Sequence, residues 1–275
     1  MSMPWTADFA ARCAAFAPLC AVADGLAVST WPDCRVLNER AAARALRNSN
    51  GLALRFVAQS VLQSDFAEKY EPRIYLRGEV QMRENNWHDL FNALVWLTFP
   101  RAKAALNARH YRALCAQQAL GAVNRGPQQD ALTLFDEGGV VVMSAQPALA
   151  RLLREHAWKM LFWEQRAALA GALGFFVFGH ALYEKALQPY TGMTGRGVIL
   201  ACDAAFFDLP LALQLEEIDG RLADILHNTD RFTATHELAA VPLLGVPGWC
   251  AENAVEGYYD NRSYFRPLPL TRNFR

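Results

Sequence analysis

The sequence is short of lysine, of net charge and of long apolar runs, and each shortage excludes a class of protein. Its 27 basic residues balance its 27 acidic residues, so we expect neither nucleic acid nor an anionic membrane as a partner. The longest uncharged apolar run, residues 167–178, is far shorter than the roughly 20 residues that span a membrane. Most of the basic residues are arginine, and the abundant alanine beside them indicates GC-rich codon usage more than anion recognition.

The six cysteines show neither C-x-x-C spacing nor a regular interval. This pattern argues against a zinc knuckle and against a disulfide scaffold, and it is typical of reduced thiols. The first 20 residues lack a basic start, and Asp8 and Arg12 interrupt their apolar residues, so they do not resemble a signal peptide. The sequence therefore predicts a soluble cytoplasmic protein.

Neither an internal repeat nor a linker rich in proline, serine or glycine divides the chain. At 275 residues and 53% hydrophobic, it can bury a large core. We predict a single globular domain over 1–275, with a soft division near 121–129. The order of the patterns indicates an α+β fold, in which a helix-rich N-terminal half packs on a small mixed sheet with helices in the C-terminal half.

Apolar spacing and turn residues predict the secondary structure. Helices are expected at 6–17, 38–64, 102–120, 147–162 and 210–228, extended segments at 71–82 and 195–203, a hairpin at 130–144, a strand turning into a helix at Gly179 within 174–187, and an irregular tail from 235.

The segment "ENNWHDLFNALVWLTFP" (84–100) is strongly apolar but carries a polar cluster in its first half. Asn85 or Asn86 would cap a helix there, and Pro100 would end or bend it. At 100° per residue, Asn92, Asn85 and Asp89 lie within about 100° of His88. The remaining directions are mostly apolar, which predicts a buried helix and therefore a buried polar quadrant.

Buried polar groups need partners, because each unsatisfied one costs about 1–3 kcal/mol. The partners are other side chains and structural waters, a metal ion, or a substrate. Purely structural roles also fit: Asn85 and Asp89 can serve the helix start, and His88 can be a hydrogen-bonded core histidine. On the same helix, Trp96 is expected to be buried, with a partner for its indole N–H.

A second cluster lies in "FGHALYEK", where Glu184 follows His180 on the same helix face. Together with His88 and Asp89 it supplies two imidazoles and two carboxylates. This set suits a divalent zinc, manganese or iron ion, or acid–base chemistry without metal; an ordinary hydrogen-bonded helix start is the alternative. We predict these four residues as catalytic and as tentative metal ligands, with both helices facing one cavity; the cofactor stays unspecified.

Lys103, Asn107 and His110 recur at intervals of four and three residues, so they share one face of the helix after Pro100. They predict either a solvated face or an anion-binding wall near the first cluster. Together with Asn85 and Asn92 they are the candidate ligand-binding residues.

Several segments resemble, in order, a bacterial family catalogued as domain of unknown function 3025. They are "NNWHDLFNALVWLTFPRAKAALNARH", "DALTLFDE", "FGHALYEK", "VPLLGVPGW" and "YYDNRSYFRP", spanning roughly Tyr70 to Pro267. The resemblance implies a soluble bacterial protein and brings no activity with it.

Two functions remain open at this point. The first is a hydrolase whose metal or acid–base pair activates water in a buried His/Asp/Glu/Asn site. The alternative is a non-catalytic module that binds a small polar ligand or a protein partner in the same pocket. No Gly-x-Ser-x-Gly motif points to a serine hydrolase. We expect a small molecule as ligand; the sequence specifies neither the substrate nor the oligomeric state.

Overall fold

The computed structural model describes residues 3–26, 29–59, 65–121 and 124–268. Its α-helices are α1 (Cys20–Ala23), α2 (Cys34–Ala43), α3 (Tyr70–Arg77), α4 (Trp87–Thr98), α5 (Pro100–Ala119), α6 (Pro127–Gly138), α7 (Pro147–Arg154), α8 (Arg166–Leu169), α9 (His180–Ala186) and α10 (Leu211–His227). Its strands are β1 (Arg55–Ala58), β2 (Glu79–Met82), β3 (Gly139–Ser144), β4 (Leu173–Val177), β5 (Thr194–Ala201) and β6 (Ala239–Pro242). Short 3₁₀ turns occur at Phe9–Ala11, Ala14–Leu19, Phe66–Glu68, Ala204–Asp208, Thr235–Glu237, Leu243–Gly245, Glu252–Ala254 and Glu256–Asp260, and a π-helical turn at Met160–Glu164.

The strands form two separate sheets. Strands β1 and β2 pair in parallel, from Arg55 opposite Glu79 to Ala58 opposite Met82. The larger sheet has the order β4-β3-β5-β6, in which β3 is antiparallel to β4 and parallel to β5. Every residue of β3 is buried, as expected for a valine-rich strand with neighbours on both sides. Together with the helix-rich N-terminal half, these sheets confirm the α+β prediction.

Glycines hold the end of α6 against the start of α9. The N–H groups of Phe178 and Gly179 both donate to the Gly139 carbonyl, at 2.9 Å each. A Cβ atom on Gly179 would lie 2.4 Å from the Gly139 nitrogen and 2.5 Å from the Glu137 carbonyl oxygen, so only glycine allows this approach. The junction brings Asp136, on the last turn of α6, close to His180, the first residue of α9.

Helices α4 and α5 are separated by a single residue, Phe99, whose φ of −124° and ψ of 60° are not helical. Pro100 starts the second helix, as the sequence predicts. The side chain of Asp219, on α10, accepts hydrogen bonds from the N–H groups of Arg101 (3.1 Å) and Ala102 (2.8 Å). It thereby caps α5 from a distant part of the chain.

Helix α4 is the buried centre of the fold. It packs against α9 and α5, and α5 in turn contacts α3, α6 and α10. Of the α4 residues after Asp89, all but Thr98 are buried. Within the described residues, no helix combines the length and the apolar character needed to cross a membrane.

The structure corrects several predicted elements. The predicted helix 38–64 is instead α2, a turn and β1, with residues 60–64 outside the described part of the chain. The segment 71–82 is helical before it becomes extended, and 6–17 forms two 3₁₀ turns. The predicted hairpin at 130–144 is wrong, because Asp-Glu-Gly-Gly ends α6 and leads directly into β3. The helix at 147–162 is broken after Arg154. The tail from 235, predicted to be irregular, contains β6 and several 3₁₀ turns. The remaining predicted helices and strands are present with small shifts at their ends.

Candidate functional site

Asn86 is the residue that caps the site helix. Its Oδ1 accepts the N–H of Asp89 at 3.0 Å, so α4 begins at Trp87. Asn85 precedes the helix, is exposed and has a φ of 53°. The prediction that Asn85 shares the buried polar quadrant is therefore wrong, because that residue never adopts the helical geometry on which the prediction depends.

His88 on α4 and His180 on α9 meet directly. Their Nε2 atoms are 3.0 Å apart, a hydrogen-bonding distance, and the two rings lie edge to face. On its other side, His88 Nδ1 lies 3.1 Å from Glu184 Oε2, one turn along α9 from His180. The two predicted clusters thus form one row, Glu184, His88 and His180.

The two hydrogen bonds of this row determine which ring nitrogen atoms carry protons. If His88 Nδ1–H donates to Glu184, its Nε2 accepts from His180 Nε2–H. One additional proton, taken up at His180 Nδ1 while the Nε2–H proton of His180 passes to His88, gives a second arrangement, in which a doubly protonated His88 donates to both Glu184 and His180 Nε2. The pair can therefore take up or release a proton through His180 Nδ1 without breaking either hydrogen bond, which is the property that an acid–base pair needs.

His180 is the buried member of the pair. Its exposed fraction is 6%, and burial, with further contributions from Lys103 and His88, lowers the pKa of His180 to about 4 against the opposing effect of Asp136. The imidazole is therefore neutral near pH 7. Its Nδ1 is 3.8 Å from Asp136 Oδ2, too far for a hydrogen bond, and has no hydrogen-bond partner among the described residues.

Lys103 and Asp136 form a buried ion pair beside His180. Lys103 Nζ lies 2.5 Å from Asp136 Oδ1 and 5.5 Å from the centroid of the Trp96 ring, where it makes a cation–π contact. Burial by itself raises the pKa of Asp136, but the positive charge of Lys103, with His180 and His110, outweighs it and lowers the pKa. Asp136 is consequently a carboxylate at neutral pH.

The carboxylate of Asp89 is bound by Arg83 and not by the histidine pair. Its two oxygens accept from Arg83 Nε and Nη2, both at 2.8 Å, and from the Arg83 backbone N–H at 2.7 Å. Burial favours a raised pKa for Asp89, yet these bonds prevail and lower it. Asp89 connects the start of α4 to the end of β2. It therefore makes no hydrogen bond with the other three predicted catalytic residues, His88, His180 and Glu184.

Two asparagines hold polar contacts between α3 and the site helices. Asn92 Nδ2 lies 2.5 Å from the hydroxyl of Tyr70, and burial of that hydroxyl raises its pKa well above the ordinary value, so it stays protonated. Asn107 Nδ2 donates to Glu71 Oε2 at 2.6 Å and to the Glu71 carbonyl at 3.0 Å. The Oδ1 atoms of Asn92 and Asn107 are buried and lack a hydrogen-bond partner in the described parts of the chain.

Lys103, Asn107 and His110 share a face of α5 as predicted, and this face is buried. The alternative of a solvated face is therefore wrong. The Lys103 charge is neutralised by Asp136, and Asn107 donates a hydrogen bond to Glu71. Of the three residues, only His110 borders the cavity described next.

A polar cavity of about 390 Å³ lies against the histidine pair. It is lined by Gln59, Tyr70, Glu71, Gln81, Arg83, His88, Asp89, Asn92, His110, Leu114, Arg125, Gln129, Thr133, Asp136, Glu137 and His180. Five predicted site residues line it: His88, Asp89, Asn92, His110 and His180. Three further predicted residues hydrogen-bond to lining residues without lining the cavity themselves: Glu184, Lys103 and Asn107. Asn85 borders a separate cavity beside Trp31 and Cys34.

The predicted four-residue metal set does not converge on one point. Asp89 is taken up by Arg83, and Glu184 lies behind His88, at Nδ1 rather than beside Nε2. Nowhere in the described ranges do three or more histidine, cysteine, aspartate or glutamate side chains stand close enough to hold one metal ion. The two Nε2 atoms, at 3.0 Å, are the remaining pair of potential metal donors.

Sequence reasoning missed the wall that α6 contributes. Gln129, Thr133 and Asp136 recur at intervals of four and three residues, which places them on one face of α6 and against the cavity. That spacing was available in the sequence. The hairpin predicted at 130–144 is incompatible with it, because strands do not place residues at these intervals on one face.

The chain belongs to a family described as "Protein of unknown function (DUF3025)", whose model matches residues 54–269. The match begins before Tyr70, where the resembling segments start. It includes β1, both site helices and all of the larger sheet. Neither the curated proteins nor the solved structures contain a significant match.

Proposed function

We propose that this protein is a hydrolase in which the His88–His180 pair removes a proton from a water molecule at the wall of the polar cavity. The observation that carries the proposal is the 3.0 Å contact between the two Nε2 atoms, with Glu184 behind His88. A carboxylate behind an imidazole fixes its tautomer and orientation and stabilises the imidazolium that forms when it accepts a proton. A catalytic base requires this combination.

The proton balance of the reaction follows from the row of hydrogen bonds. Water loses a proton to His180 Nδ1, the Nε2–H proton of His180 passes to His88, where it is held between Glu184 and His180, and the hydroxide attacks the electrophilic centre of the substrate. The reverse transfer then returns a proton from His180 Nδ1 to the leaving group. Tyr70, whose phenol stays protonated, can donate a hydrogen bond to the charge that develops on the substrate.

A metal-assisted form of this reaction uses the same two nitrogens. A divalent ion bound by His88 and His180 would supply activated water, with Glu184 orienting His88 from behind. Turnover before and after treatment with a chelator, together with the metal content of the purified protein, separates the two forms.

The second candidate function is a binding module without catalysis. It is favoured by Asn92, whose side chain is 6% exposed and lines the cavity with Oδ1 unpartnered in the described chain. A bound small molecule would satisfy this atom whether or not any bond is broken.

The test is turnover of a broad panel of phosphoesters, carboxylic esters and amides by the purified protein and two variants. We expect His88→Gln and His180→Asn each to lower turnover by about 10²–10⁴-fold, the usual contribution of a general base. The matched control is His227→Gln, an exposed histidine at the end of α10, which should retain full activity.

Two results would overturn the proposal. Unchanged turnover in both site variants would remove the histidine pair from the reaction. No turnover on any substrate class, with a ligand still bound in the cavity, would instead favour the binding module.

A further inference from the structure

The inner wall of the cavity, formed by Asn92, His180, Asp136 and Asp89, contains buried polar atoms without a hydrogen-bond partner in the described chain. Asn92 and His180 are each 6% exposed and line the cavity, and neither Asn92 Oδ1 nor His180 Nδ1 has a partner in the described ranges. Such atoms are costly in a closed core. Both residues line a space that a small molecule can enter, and a hydroxyl group brought against them would satisfy these atoms.

The charges of this inner wall are already balanced. Asp136 is paired with Lys103, and Asp89 with Arg83. A charged group entering this region would have to give up its hydration without gaining an unpaired partner of opposite sign. The inner wall is therefore suited to neutral polar groups.

The charged residues that remain in the lining outside these two pairs disfavour an anion in particular. They are Glu71, Glu137 and Arg125, which leaves one excess negative charge. At the inner end an ammonium group finds no free carboxylate, because Lys103 is already paired with Asp136 and Arg83 with Asp89. Neither a phosphate nor an amine matches this distribution.

We infer that the cavity binds a small neutral molecule rich in hydroxyl groups, of the sugar or cyclic-polyol kind. This inference rests on the proposed function, because it names the substrate class of the same site. A hydroxyl both donates and accepts, so it satisfies Asn92 in either orientation of the amide and His180 in either tautomer. The Tyr70 hydroxyl and the side chains of Gln129 and Thr133 extend the polar lining that successive hydroxyls would meet.

The test compares matched ligands that differ only in charge. Binding of glucose, glucose 6-phosphate and glucosamine, and of a panel of neutral hexoses, pentoses and inositols, is measured by saturation-transfer NMR on the full chain. At least one neutral compound should bind, and its phosphorylated and amino derivatives should bind at least tenfold more weakly. Tighter binding of a derivative, or no binding by any neutral compound, would overturn the inference.

Variants tie the binding to the inner wall. Asn92→Ala should weaken binding of the neutral ligand at least tenfold, and the similarly sized Asn92→Leu, which lacks both polar atoms, provides a second reading if the alanine variant is unstable. Asn50→Ala, at an exposed turn, is the matched control and should leave binding unchanged. Equal affinity in the folded Asn92 variants would contradict the assignment.

The two proposals fail in different ways. Neutral-ligand binding that persists in His88→Gln, without turnover by the unaltered protein, would refute the hydrolase and keep the ligand class. Turnover of phosphorylated or cationic substrates, without any binding of neutral polyols, would refute the ligand class and keep the hydrolase.

Discussion

Lys103 and Asp136 form a buried ion pair whose Nζ and Oδ1 atoms are 2.5 Å apart, and the other carboxylate oxygen of Asp136 lies 3.8 Å from His180. The side chains are only 5% and 14% exposed. This pair joins α5 to α6 and gives the wall behind His180 a balanced charge. The stability of the fold and the protonation of the candidate base therefore depend on the same contact.

Breaking this pair from one side should be strongly destabilising. Lys103→Met or Asp136→Leu leaves an uncompensated buried charge, and we expect each to lower the free energy of unfolding by about 3–5 kcal/mol. The double variant should lose much less than the sum, because it leaves no orphaned charge. Urea denaturation of the four proteins measures the coupling. The exposed pair of Arg35 and Glu39 is the control, and its removal should have little effect; additive losses at Lys103 and Asp136 would contradict the buried-pair assignment.

His180 should make the fold less stable in mild acid. The folded protein keeps His180 neutral down to about pH 4, whereas the unfolded chain takes up a proton near pH 6.5. Because the unfolded state binds more protons in this window, stability is present above pH 6.5 and is lost as the pH falls. We expect a loss of about 2 kcal/mol between pH 7 and pH 5 from this group.

Urea denaturation at several pH values, with His180→Asn for comparison, isolates this contribution. Asp219, whose pKa burial raises to about 6, contributes a slope of opposite sign, but it is present in both proteins and cancels in the comparison. The asparagine variant should lose clearly less stability on acidification. Identical slopes in the two proteins would show that His180 titrates normally in the folded state.

Gly179 should tolerate no side chain. Its Cβ position lies 2.4–2.6 Å from backbone atoms of Gly139 and Glu137, which cannot move independently of β3. Gly179→Ala should therefore push α9 away from α6, lower the thermal midpoint and weaken the histidine contact. Gly257→Ala, at a position with open space around it, should leave the midpoint unchanged. Thermal unfolding followed by circular dichroism compares the two, and equal midpoints would refute the close-approach argument.

Trp96 tests the packing of the site helix. The residue is 1% exposed, as predicted, but its indole N–H has no hydrogen-bond partner among the described residues, so that half of the prediction is wrong. Trp96→Ala should cost about 3–5 kcal/mol through the cavity that it creates. Trp96→Phe removes the unpaired N–H along with the larger ring, so we expect a much smaller cost. Chemical denaturation measures the loss of unfolding free energy in each variant. Equal losses would mean that the indole N–H has a partner after all.

Much of the site could be predicted where strong periodicity coincides with a clear boundary residue. Pro100 marks the start of α5, and Gly179 marks the change from β4 to α9; the apolar runs beside them have the expected periods. The meeting of His88 and His180 followed from a physical requirement, since polar groups on two apolar helices need partners. That requirement does not depend on knowing the intervening topology.

The rest depended on tertiary contacts that leave little trace in local sequence. Asp89 lines the cavity, but its carboxylate is bound by Arg83, the residue that follows β2, and the predicted extended segment 71–82 does not imply that contact. Asp136 falls within the hairpin predicted at 130–144, because Asp-Glu-Gly-Gly is also typical of a turn. Asp219 caps α5 across more than a hundred residues, a contact that no sequence window contains.

The most direct test of the account is NMR of the histidine side chains in ¹⁵N-labelled protein, with signals assigned by His88→Gln and His180→Asn. We predict a scalar coupling between the Nε2 nuclei of His88 and His180, transmitted through their shared hydrogen bond, and a His180 ring that stays neutral down to about pH 5. Absence of the coupling, with His180 titrating near its ordinary pKa of about 6.5, would contradict it.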